Sequence, residues 1–214
     1  MSIFLTGTDT GVGKTHTAVC LLRLLRAAGL RAVGMKPICC GDRSDAELLL
    51  AASSEGLTID ELNPVWLKTP AAPFSASQIE DVEIAVSPLV ERLADLQRRF
   101  DFVVVEGVGG WLVPLRRDVF VSDLAAAMHL PAVTVALNRL GCLNHTMLTV
   151  RSIAACGVTC AGVVLNTPPA VPDFAAATNH QVLAQISEVP IISGLDDGMR
   201  ELPPEWRVML GGVS

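Results

Sequence analysis

Apolar residues along this chain fall into short runs separated by glycine, proline or polar breaks, and the runs alternate between two periods. Compact aliphatic runs predict strands at 2–6, 31–35, 101–105, 132–137, 158–165 and 190–193. Longer stretches with apolar positions every three or four residues predict helices at 14–28, 45–54, 86–99, 122–128, 144–155 and 178–186. Strands that are apolar on both faces and alternate with helices imply right-handed crossovers, hence an α/β fold with a mostly parallel sheet and helices on both faces. Proline and serine concentrate at 69–77, read as a loop because regular patterning resumes on either side. The tail from Gly198 is weakly patterned and predicts no element.

In open α/β sheets, ligands bind beyond the carboxyl ends of the strands. The residues there are polar or glycine-rich at five successive strands: Gly7 to Thr15, then Lys36, Glu106 to Gly110, Asn138-Arg139 and Asn166-Thr167. That recurrence points to one shared site along one edge of the sheet.

Composition narrows the class of partner. The 214 residues suit one globular domain, 1–214, with a single core. Half of them are apolar but only 4% are aromatic, so the core must be aliphatic. A formal charge of −6, with no long Lys or Arg run, argues against nucleic acid. No segment offers about 18 uninterrupted apolar residues for a membrane span. The start, Met1 to Leu5, lacks a basic leader region, so the cytoplasm is the expected location. Cys20, Cys39, Cys40, Cys142, Cys156 and Cys160 lack disulfide or metal-ligand spacing and read as buried free thiols.

Gly11-Val12-Gly13-Lys14-Thr15, between a predicted strand and a predicted helix, has the form of a phosphate-binding loop. Glycines let successive N–H groups converge on phosphate oxygens, and the helix dipole adds about half a positive charge. Lys14 would reach the outer phosphates and the Thr15 hydroxyl would bind Mg²⁺. The regular pattern wants glycine where Thr8 stands, with Gly7 one place earlier, so the loop is a variant of a P-loop NTPase-like fold.

Mg²⁺ takes oxygen ligands, commonly one or two carboxylates besides phosphate and water. Glu106 closes the apolar run Phe102 to Val105 and is followed by glycines, which places a carboxylate where the metal needs one. Asp45 has two readings: a metal ligand, or part of a capping box opening a helix at Ser44-Asp45-Ala46-Glu47. Lys36 is either an exposed charge or a cation aimed at transferred phosphate or an anionic substrate. Asn144 is a natural N-cap, and the free N–H groups of its helix could instead hold a carboxylate. His16, His129, His145 and His180 show no spacing that suggests a metal, and Trp66, Trp111 and Trp206 read as core or loop anchors.

The ordered set Thr6 to Thr15, Gly34-Met35-Lys36-Pro37, Ser44-Asp45, Val105 to Trp111 and Leu140 to His145 closely resembles the dethiobiotin synthetase family over residues 2 to about 167. The resemblance implies a reaction in which 7,8-diaminononanoate and CO2 (or bicarbonate) form a carbamate. ATP phosphorylates the carbamate, and the second amine displaces phosphate to close a ring. It implies Lys36 as the catalytic lysine, also touching substrate, with Lys14 and with Thr10 as a substrate contact beside the phosphate loop completing the catalytic set. Thr15, Asp45 and Glu106 become the Mg²⁺ set. Gly11, Val12, Gly13, His16, Gly107, Val108, Gly109, Asn166 and Thr167 become nucleotide contacts, with Pro190, Ile191, Ile192 and Asp197 along the adenine. Cys40 and Gly109 would face the substrate, and Leu143 and Asn144 would hold its carboxylate from a neighbouring subunit, implying a homodimer. Cys40 stands where the family often has serine, Gly11 where some members are acidic, and Phe74 where histidine is common.

Two other classes share elements of this pattern. Partition or site-determining switch ATPases carry a further lysine five residues before the phosphate lysine, where this chain has Asp9. Amide-forming synthetases of the cobalamin pathway need an ammonia source, and nothing in this chain resembles one.

Overall fold

The structure is a computed structural model that describes residues 1–167 and 174–212. From Ile3 onward β1 (Ser2–Gly7) is buried, and a glycine loop joins it to α1 (Lys14–Ala27). There follow β2 (Ala32–Met35), β3 (Ile38–Cys40), α2 (Ser44–Ala52), α3 (Ile59–Leu62), β4 (Val65–Leu67), α4 (Pro73–Glu80) and α5 (Val86–Arg99). The second half runs through β5 (Phe102–Glu106), β6 (Pro114–Arg116), β7 (Val119–Phe120), α6 (Val121–Ala127), β8 (Ala132–Leu137) and α7 (Cys142–Ala155). It continues with β9 (Cys160–Asn166), α8 (Phe174–Ile186), β10 (Ile191–Ser193) and α9 (Pro204–Met209).

Six strands form one parallel sheet in the order β10-β9-β8-β1-β5-β2. Alternate side chains of each strand enter opposite cores, as the pleat requires. Ile3, Leu5, Val104 and Val133 pack with Leu21, Leu22 and Leu25 of α1 and with Trp206. Phe4, Val103 and Val105 pack on the other side with Leu89, Leu93 and Leu96 of α5 and Leu124 of α6. The α5 leucines recur at helical spacing and are all buried, each stabilising the fold by about 1.5–3 kcal/mol. Register then sets the chemistry. Met35 pairs with Val105, so the residues that follow, Lys36 and Glu106, leave the sheet side by side.

The predicted strands and helices are all present, with shifted ends. The strand expected at 158–165 is Cys160–Asn166, and the helix expected at 178–186 begins at Phe174. The 69–77 stretch is not a loop throughout: α4 starts at Pro73, whose fixed φ suits a first helical turn. The tail contains α9, anchored by the fully buried Trp206. Short elements escaped the pattern because two to four residues carry no measurable period: α3, the β3–β4 pair and the β6–β7 hairpin.

Two expected caps are corrected. Helix α7 starts at Cys142 behind Gly141 (φ 90°), so Asn144 lies inside it rather than at its N-cap. Helix α2 has no capping box of its own; the Asp42 carboxylate accepts from the Ser44 N–H (3.0 Å) and hydroxyl (2.5 Å). The capping box belongs to α3, between Thr58 and Glu61.

The six cysteines form no disulfide, but only Cys20, Cys39 and Cys142 are buried, and Cys156 is exposed. Trp111 and Trp206 are core residues as expected, while Trp66 is 42% exposed beneath the Arg43 guanidinium.

Candidate active site

The phosphate loop crosses from β1 to α1 through Gly11 (φ 73°) and Gly13 (φ 96°), left-handed conformations that glycine adopts without strain. A Cβ on Gly13 would overlap the side-chain amide of Asn166, which donates to the Val12 carbonyl at 3.0 Å. Lys14, 6% exposed, donates to the Asp9 carbonyl at 2.9 Å and so lies back along its own loop. Burial, with Lys36 adding to it, lowers the Lys14 pKa to about 8.

Three oxygen-bearing side chains from three elements meet beside the loop. The Thr15 hydroxyl is 2.9 Å from Asp45 Oδ1 and 2.9 Å from Glu106 Oε1. One hydroxyl proton thus faces two carboxylates. Lys36 Nζ donates to Asp45 Oδ2 at 2.8 Å and to Glu106 Oε1 at 2.5 Å. Burial opposes the Lys36 charge, but Glu106 and Asp45 outweigh it and its pKa rises. Burial likewise opposes the Asp45 charge; Lys36, with a further hydrogen bond from Thr15, outweighs it and holds the carboxyl below its usual range.

Glu106 is fully buried and its Oε2 has no partner among the described residues. A buried lone carboxylate oxygen beside a second carboxylate and a hydroxyl is a hard-oxygen set of the kind Mg²⁺ takes, so these residues fit that ion.

A cavity of about 720 Å³ opens onto this cluster. Of the residues singled out from the sequence, it is lined by Thr10, Gly11, Gly13, Lys14, Thr15, Lys36, Cys40, Asp45, Glu106, Val108 and Gly109. Gly109 (φ 59°) is part of that lining, whereas Gly107 is not: a Cβ there would meet the core Phe4 ring at 3.0 Å. The cavity is also lined by Cys39, Asp42, Ser44, Val113 and the Pro70–Pro73 segment, none of which sequence reasoning assigned to the site. Pro73 at the first turn of a helix was the available signal.

The remaining candidates lie outside that cavity. Val12 is buried beneath the loop, Ile192 is in the core, and Pro190 and Ile191 belong to the edge of the sheet. Thr167 accepts from Asn138 at 3.0 Å, and Asn138 is in turn held by Asn179 at 2.9 Å, a buried residue the sequence did not single out. Leu143 and Asn144 sit on the first turn of α7.

The histidines show no spacing that suggests a metal, and none joins another, but the fold gathers His16 with Cys20, one turn along α1, and with Asp197 among the described residues. Their ligand atoms lie within 4.8 Å of one another. Each is already engaged: His16 Nε2 is 3.0 Å from the Leu195 carbonyl, and Arg23 donates to Asp197 at 2.7 Å. Burial, with Asp197 adding to it, pushes the Cys20 thiol up to about 11.

A family model described as an AAA domain matches residues 1–197. The ATP-dependent dethiobiotin synthetase BioD of Akkermansia muciniphila is 40% identical over 197 residues, covering 92% of this chain and 92% of that protein. Its counterpart in Anaeromyxobacter dehalogenans strain 2CP-C is 43% identical over 204 residues, covering 89% and 92% respectively.

Among solved structures, the septum site-determining protein MinD of Pyrococcus horikoshii OT3, complexed with Mg-ADP, gives a TM-score of 0.56 at 17% identity over 92% of this chain and 82% of that one. The MinC:MinD cell division complex of Aquifex aeolicus gives 0.59 at 12% identity, with the same coverages. Those two likenesses are to the fold alone. The curated relatives are similar across nearly the whole of both sequences, and the chain belongs to the ATP-dependent dethiobiotin synthetase family.

Proposed function

We propose that this protein, acting as one catalytic domain over residues 1–214, uses Mg-ATP to join CO2 to 7,8-diaminononanoate and close the ureido ring of dethiobiotin, a step of biotin biosynthesis in the cytoplasm. The observation that carries this reading is the meeting of Lys36, Asp45, Glu106 and Thr15 at the mouth of a phosphate loop, on a cavity shared by the loop and the diamine-side residues Thr10, Cys40 and Gly109.

Thr15, Asp45 and Glu106 would hold Mg²⁺, which when bound draws charge from the phosphate oxygens. Lys14 neutralises the outer phosphates, and the loop N–H groups between Gly11 and Thr15 orient them. Lys36 neutralises the carbamate and the phosphoryl group as it moves between oxygens, a stabilisation in place before the charge develops. Thr10, Cys40 and Gly109 position the diamine against it. Asn166 and Thr167, with His16, Pro190 to Ile192 and Asp197, flank the nucleoside side. The first amine takes up CO2 and loses a proton, the carbamate oxygen accepts the γ-phosphoryl group with ADP leaving, and the second amine attacks the carbonyl carbon, losing its proton as phosphate is expelled.

A homodimer belongs to the same proposal. Asn144 and Leu148 stand one turn apart on α7, both exposed, with Leu140 exposed just before the helix; that apolar surface suits a second copy presenting Leu143 and Asn144 to its neighbour's substrate. No helix among the described residues is long and apolar enough to cross a membrane.

The test is phosphate release from Mg-ATP and bicarbonate, with and without the diamine, while dethiobiotin is followed by mass. Diamine-dependent release matching product one for one is the expected result. Release without the diamine, or none with it, would overturn the proposal.

A further inference from the structure

Lys36 is asked to serve two places. Catalysis wants its ammonium in the cavity, against carbamate and phosphate; in the structure that ammonium lies between Asp45 and Glu106, the two carboxylates of the metal set. The residue is 3% exposed. One ammonium cannot neutralise both sites at once.

We propose that Lys36 is a resident counter-ion: in the nucleotide-free protein its ammonium keeps the seat between Asp45 and Glu106, and it yields that seat to the divalent cation arriving with the nucleotide. Leaving the carboxylates is what frees it to reach the carbamate and the transferring phosphate. This rests on the assignment of Thr15, Asp45 and Glu106 to the metal.

Three observations support the exchange. The ligand set is already assembled, since Thr15 lies within 2.9 Å of both carboxylates and no ligand must travel to complete it. The carboxylates are incompletely satisfied, with Glu106 Oε2 unpartnered among the described residues and a single Thr15 proton between two acceptors. Access exists on one side only, because the Asp45 side chain is 46% exposed while that of Glu106 is closed off.

A bare cation must therefore evict an ammonium already in contact with both carboxylates, and it binds weakly. A cation carried on a nucleotide keeps phosphate ligands while the loop N–H groups engage those phosphates, which offsets the eviction. The seat thus selects the metal–nucleotide complex over free metal and readies Lys36 only when that complex is present.

The experiment titrates nucleotide-free full-length protein with Mn²⁺, following the free ion by electron paramagnetic resonance. Lys36→Met should bind Mn²⁺ at least tenfold more tightly than the parent, and adding Asp45→Asn should abolish the gain. A Lys36→Met protein with an intact circular dichroism spectrum and no tighter Mn²⁺ binding would overturn the proposal, as would a gain that survives Asp45→Asn. If Lys36→Met is unfolded in metal-free buffer, Mn²⁺ should restore its fold, and failure to do so counts equally against the exchange. No diamine or turnover is involved, so loss of the dethiobiotin assignment would leave the titration result standing.

Discussion

The Asn166 side-chain amide donates to the Val12 carbonyl at 3.0 Å, tying the phosphate loop to the end of a strand two places away in the sheet. A hydrogen bond of this kind contributes about 1 kcal/mol. Asn166→Ala should weaken ADP binding roughly fivefold with little change in fold. Gly13→Ala should be far worse, because its Cβ would strike the same amide and its φ of 96° is strained for alanine. We expect calorimetry to detect no ADP binding to that variant, and melting to show a stability loss of about 1–3 kcal/mol.

Lys36→Ala should separate binding from chemistry. Loss of one preorganised cation commonly costs about 10²–10³ in rate. Turnover should fall by that factor while metal-free ATP affinity stays within a few-fold; Lys14→Ala should damage both. Near-normal turnover of Lys36→Ala in the coupled phosphate assay would remove Lys36 from the mechanism.

The lowered pKa of Lys14 gives a proton signature. Folded Lys14 titrates near about 8, against 10.5 for an unperturbed lysine. Between those values the unfolded chain holds a proton that the native protein lacks, so the contribution of Lys14 to stability rises with pH across that window. Below it, both states are protonated and the contribution is flat and unfavourable. Bound phosphate restores the charged form, so ADP binding at pH about 9 should take up close to one proton, and at pH about 7 almost none. Calorimetry in two buffers of different ionisation enthalpy measures this, and Lys14→Met should abolish the uptake at pH about 9.

Trp206 is fully buried, and its indole N–H donates to the Ser193 carbonyl at 3.1 Å, fastening α9 to the end of β10. Trp206→Ala should cost about 3–5 kcal/mol in denaturant unfolding. A loss below about 1 kcal/mol would show that the tail is not part of the cooperative core.

The phosphate loop and the principal strands were legible because their signals are local: glycines at fixed offsets, aliphatic runs with sharp ends. Glu106 was legible for the same reason, as the polar stop of Phe102 to Val105. The cap on α2 was misassigned because Ser44 and Glu47 imitate a capping box while Asp42 does the work from two residues upstream. β3 and β4 could not be read, since three residues each cannot display a period and they pair only with each other. Nor could sequence place Lys36 against Asp45 and Glu106. That contact depends on the register of β2 with β5, which no short window contains.

The sheet order has a consequence for how the protein comes to exist. Thr15 meets Asp45 across 30 residues, Lys36 meets Glu106 across 70, Thr15 meets Glu106 across 91, and Asn166 meets Val12 across 154. Each contact closes a large loop whose entropy must be lost before the contact can reward it, and parallel pairings of this kind form slowly. A chain with half of its sheet has half of a ligand cage, which binds nothing. During refolding, affinity for nucleotide should therefore rise late and abruptly, after secondary structure is largely in place, and the nucleotide should act chiefly by slowing the opening of the finished sheet.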